Sequence, residues 1–138
     1  MENETIALSR TDIDNIVKDV RASVQAIEKG SKLRKHMLNM VSMNNIMRAF
    51  IYSYEMDVDC KTIQEKLLQT ILTVEARKDR KFLNADVNVL KEAVETYDVL
   101  LFSATEEQVS EIALFVKNNS GDCNYVVKHG KELKSSRN

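Results

Sequence analysis

Between Ile13 and Ile27 the apolar residues fall at Ile13, Ile16, Val17, Val20, Val24 and Ile27. Steps of three and four put them on one face of a helix, with Asp12, Asn15, Asp19 and Glu28 elsewhere. Ser9, three residues before Asp12, predicts the start of that helix through a capping box. Gly30 predicts a left-handed stop after Lys29. A second helical pattern runs from about Ser31 to Tyr54, with Leu33, Met37, Met40, Met47, Ile51 and Tyr54 on one stripe. Leu38, Val41, Ile46 and Phe50 widen it, so this helix is expected to be central and covered on more than one side.

Asp57 to Asp59 interrupts the pattern, and Asp59 or Thr62 is the expected cap of a third helix. Its stripe is Ile63, Leu67, Ile71 and Val74, ending near Lys78. Beyond the polar link from Asp79 to Asp86, the series Val87, Leu90, Val94, Tyr97 and Leu101 defines a fourth. Thr105 and Gln108 form a second capping box ahead of Val109, Ile112 and Val116, the fifth. Asn119 to Asp122 reads as a turn. The alternative takes Asp98–Ala104 and Cys123–Lys128 as strands, making a small β-α-β unit over 98–128.

Composition sharpens the choice. Average usage of about 5% proline predicts roughly seven in such a chain; there are none among its 138 residues, and the only glycines are Gly30, Gly121 and Gly130. A β-sandwich or barrel needs many more turn residues. The expected fold is therefore all-α, a compact bundle of about five amphipathic helices forming one domain over 1–138. Residues 1–8 are expected to fray, and about 129–138 to form a flexible polar tail.

The formal net charge is −1, so no overall field favours nucleic acid or an anionic membrane. The acidic start, with no apolar stretch after it, does not look like a secretory signal. The longest strongly apolar run, Val99 to Phe102, falls far short of the ~18 residues a membrane span requires. Cys60 and Cys123 form neither a disulfide framework nor a zinc pattern. A cytoplasmic protein without membrane contact is expected. Frequent Asn and Lys are compatible with an AT-rich phage or bacterial source.

Residues 97–119, with Ser103-Ala104-Thr105 at their core, resemble the Ser-Ala-Thr segment of DEAD-box helicases. That resemblance covers about twenty residues, with a specific core of three. The helicase chemistry also needs a phosphate-binding loop and an acidic magnesium motif, and the three glycines are too scattered to build such a loop. These letters are read as a helix cap.

Candidate chemistry is sparse. Cys123 and His129 leave a metal underliganded, and His36 reads as a boundary residue. Cys60 beside Lys61 is the best-placed thiol, but a buried structural cysteine fits better. Glu92, Glu95, Asp98, Glu106, Glu107 and Glu111 lie mostly opposite the apolar stripes, as a solvated face requires. No catalytic residue, metal or cofactor is expected.

Two features remain. Met37, Met40, Met43 and Met47 lie within one arc of the second helix, either as core or as an adaptable partner-binding or self-association face. Residues 29–36 carry Lys29, Lys32, Arg34 and Lys35 without an acid, and 77–81 carry Arg77, Lys78, Arg80 and Lys81 against Asp79. In an up-down bundle these clusters meet at one end. Cations at helix C-termini complement the helix dipole, which accounts for Lys29, Arg77 and Lys78 but not for the rest. The favoured expectation is a non-enzymatic protein-interaction or regulatory domain, binding a protein partner or a second copy. The alternative is a nucleic-acid-binding subunit using Lys32, Arg34, Lys35, Arg77, Lys78, Arg80 and Lys81.

Overall fold

The computed structural model describes residues 4–119 and 131–134. Five helices account for most of them: α1 (Arg10–Glu28), α2 (Arg34–Ser53), α3 (Val58–Ala76), α4 (Asn84–Ser103) and α5 (Glu106–Asn119). They pack as an all-α bundle. Around the ring, α1 lies against α2 and α4, and α3 lies against the same two. Partners across α1 and α4 fix their direction. Arg10 reaches the Ala104 carbonyl, Arg21 meets Glu95 and Asp98, and Glu28 meets Lys91. Numbers rise along one helix as they fall along the other, so the two are antiparallel.

The helix ends follow from local chemistry. Ser9 and Asp12 exchange side-chain and backbone hydrogen bonds at the start of α1. Gly30, at φ +96°, ends it in a Schellman turn: the Ser31 amide donates to the Ala26 carbonyl and the Gly30 amide to the Ile27 carbonyl. Thr105 and Gln108 close the expected capping box at 3.0 Å in both directions. The cap of α3 differs from expectation. Asp57, rather than Asp59 or Thr62, accepts the Cys60 amide at 2.7 Å, so α3 begins at Val58.

Each apolar stripe turns inward. Ile13, Ile16, Leu67, Val74, Leu90, Tyr97 and Leu101 are all buried, each contributing about 1.5–3 kcal/mol against exposure. Helix α5 lies on α2 and touches α1. It covers a side of α2 that the four-helix ring leaves open, which explains why α2 buries ten residues.

The β-α-β alternative is overturned where it can be checked. Asp98–Ser103 continue α4, because Tyr97 and Leu101 remain on its buried face. Residues 123–128 and the turn at 120–122 lie outside the described residues. At the chain ends, much of the stretch expected to fray (1–8) and of the expected tail (about 129–138) lies outside the described residues. Strand β1 (Glu4–Ala7) pairs antiparallel with β2 (Lys131–Lys134), and Leu8 enters the core. The reason lies in α5, which β1 contacts: the Leu8 amide donates to Ser110 Oγ and the Arg10 amide to Glu106 Oε2.

Candidate functional site

The alternating direction of α1 to α4 brings the 29–33 and 77–83 connections to one end. The first is fixed by the Gly30 turn. The second is fixed by Arg77 and Asp86. Arg77 Nη1 donates to the Lys81 carbonyl at 2.7 Å and pairs with Asp86 Oδ2 at 2.5 Å. The same Asp86 oxygen accepts the Leu83 amide at 2.8 Å, and Asp79 accepts the Lys81 amide. Between them Arg80 adopts φ 52°, a left-handed conformation that ordinarily suits glycine.

Both connections line one small hollow of about 70 Å³. Ile27, Leu33, Met37 and Phe82 give it apolar walls; Lys32, Arg34 and Arg80 supply cations, with Ser31 and Glu75 completing it. Several waters or a small aliphatic side chain fit such a volume, since a single water needs about 10–15 Å³. Glu75 offsets the charge weakly, its carboxylate 3.9 Å from Arg80 Nε with both side chains solvated.

The candidates for phosphate contact thus divide. Lys32, Arg34 and Arg80 converge on the hollow. Lys35 and Lys81 are exposed at the same end, and Lys78 lines a separate open depression with Arg77 and Asp79. Arg77 is a structural tie between α3 and α4. Sequence reading identified the cations but not the apolar walls, because Ile27, Met37 and Phe82 belong to three different segments.

The methionine face is elsewhere. Met40, Met43 and Met47 are 0% exposed, so nothing outside the folded chain reaches them. They face the core because α5 and the bundle enclose α2 from two sides. Only Met37 approaches the surface, and it does so in the hollow.

Two polar contacts lie buried between helices. Asn39 Nδ2 donates to Ser23 Oγ at 2.8 Å, and Ser23 lies 2.8 Å from His36 Nδ1. Asn39 occupies one acceptor position of the serine oxygen, and the direction of the Ser23–His36 bond follows the tautomer of the imidazole. Burial, then Lys35, holds the His36 pKa below its ordinary value. Between α2 and α3, Gln64 Nε2 donates to Asn44 Oδ1 at 2.8 Å.

Cys60 is buried, and burial followed by Asp57 raises its thiol pKa, the reverse of what activates a nucleophile. The carboxylates of α4 bind cations across the surface: Glu95 and Asp98 hold Arg21, which lowers the Glu95 pKa and raises that of the guanidinium. Among the described residues, no group of three or more His, Cys, Asp or Glu is placed to hold a metal ion. No helix there is long and apolar enough to cross a membrane. Cys123 and His129 lie outside the described residues. Comparison of the chain with family models, curated proteins and solved structures finds no match.

Proposed function

We propose that this chain is a non-enzymatic binding domain whose basic end docks an acidic segment of a protein partner through a small apolar anchor. The mixed lining of the hollow carries this reading. Ile27, Leu33, Met37 and Phe82 suit an aliphatic side chain, while Lys32, Arg34 and Arg80 stand where carboxylates beside that anchor would lie. Apolar contact supplies affinity, and the cations supply orientation and association rate.

A synthetic peptide of aspartate and valine is the probe, followed by fluorescence anisotropy. Binding is expected at moderate salt, and Arg34→Glu with Arg80→Glu should abolish it while thermal unfolding stays cooperative. A folded variant that binds as tightly as the wild type sinks the reading.

The convergence of two cationic segments also favours a second reading, contact with a nucleic-acid backbone. That reading predicts tight duplex DNA or RNA binding at physiological salt, with a log–log salt slope of about −0.7 to −0.9 per phosphate. Under the first reading duplex binding is weak and gone at that salt, because a backbone gains nothing from the apolar walls. Tight duplex binding removed by the same charge reversal would reverse the preference.

A further inference from the structure

The opposite end of the bundle complements the hollow. The connection from α2 to α3 and the first turn of α3 place Glu55, Asp57 and Asp59 there, all exposed, and the first turn of α5 adds exposed Glu106 and Glu107. Among the described residues, the cations at that end are largely engaged. Arg10 donates to the Leu101 and Ala104 carbonyls, and Arg48 stacks on Tyr52 at 5.4 Å, leaving Lys61 exposed. Residues 4–7 and 131–134 together carry no net charge.

This end is also apolar. Phe102 (77% exposed), Val58 (74%), Tyr52 (71%) and Val99 (65%) are more exposed than any other large hydrophobic among the described residues. All four lie in the terminal turns of α2, α3 and α4 that point this way. Single exposed apolar residues are ordinary, but the four most exposed ones share this end.

Val58 sits between Asp57 and Asp59, an aliphatic side chain flanked by two carboxylates. That is the ligand chemistry the hollow calls for. We infer that the chain associates head to tail: the Asp57-Val58-Asp59 turn of one copy seats on the basic end of the next. Val58 enters among Leu33, Met37 and Phe82, and the carboxylates face Lys32, Arg34 and Arg80. This rests on the docking role proposed for the basic end and adds the identity of the partner. The two surfaces lie at opposite ends of one bundle, so each bound copy leaves one surface free. Such a heterologous contact grows into open chains rather than closing as a symmetric dimer. Its charged part is exposed and weakens with salt.

Sedimentation velocity of the full chain tests this. At low salt the wild-type average mass should rise with concentration past the dimer, and fall back to monomer in about 0.5 M salt. Two variants block one end each. Arg34→Gln with Arg80→Gly neutralises the hollow and suits the backbone at 80. Val58→Ser with Asp59→Asn removes the anchor but spares the Asp57 cap. Each variant should weaken association at least about tenfold. Mixed in equal amounts, they should form a one-to-one dimer that grows no further, since only one competent end of each kind remains. A wild type that is monomeric at every concentration, or that stops at a closed dimer, overturns the inference. So do folded variants that polymerise unchanged. If the wild type stays monomeric while the aspartate–valine peptide still binds the basic end, head-to-tail association falls and the docking reading stands. If the peptide fails as well, both fall.

Discussion

Arg80 holds a left-handed backbone (φ 52°) while its side chain is largely solvated, with the distant Glu75 as its ion-pair partner among the described residues. Glycine adopts that conformation freely, so Arg80→Gly should raise stability by about 0.5–1 kcal/mol, as urea denaturation would show. A loss of stability would mean that the side chain does more for the 77–83 connection than its contacts indicate. His36 sets a second expectation. Its pKa in the folded chain is lowered, so the unfolded chain binds the proton more readily. Stability is therefore fully present above the unfolded value of 6.5 and falls as pH drops below it. Carboxylates act lower on the pH scale. His36→Asn keeps a hydrogen-bonding partner for Ser23 and should flatten the loss between about pH 7 and pH 5. An unchanged slope would assign that loss to other groups. None of this contact was legible beforehand: Ser23 and His36 belong to different helices, and nothing in their spacing marks them as partners.

At the level of elements, periodicity located all five helices, because each stripe repeats every three or four residues over about two turns or more. Boundaries were legible where a side chain makes the cap, as at Ser9 and Thr105, or where a glycine ends the helix, as at Gly30. The sequence alone misplaced the cap of α3, since Asp57 and Asp59 are equally suited and only the direction of chain entry separates them. The width of the α2 stripe predicted its two-sided cover; which helix supplies the second cover was not readable. That cover decides the role of the methionines. Met47 is fully buried in the hydrophobic core, so Met47→Asp should cost more than about 4 kcal/mol and leave the chain unfolded in circular dichroism. A folded Met47→Asp protein would return the methionines to the surface role that the sequence allowed.

For the whole molecule, the topology turns scattered residues into two unlike ends. The basic segments were visible in the sequence and an up-down order predicted their meeting. The apolar walls and the Val58 end emerged only when helix phases were known. The same topology bears on folding. Three of the four ring contacts join helices consecutive in sequence, and α1 against α4 closes the ring. Such local connectivity gives folding in microseconds to milliseconds. The chain also lacks proline, so the slow isomerisation that delays many proteins by about 10–100 s has no source. Diluted from urea into high salt, where head-to-tail association is suppressed, the chain should refold in a single phase complete within about a second. Stopped-flow circular dichroism would record it. A major phase lasting tens of seconds and independent of protein concentration would contradict the picture, because neither proline nor association would explain it. Closure of α1 on α4 would then be the slow step, and weakening that contact with Arg21→Ala should slow it further.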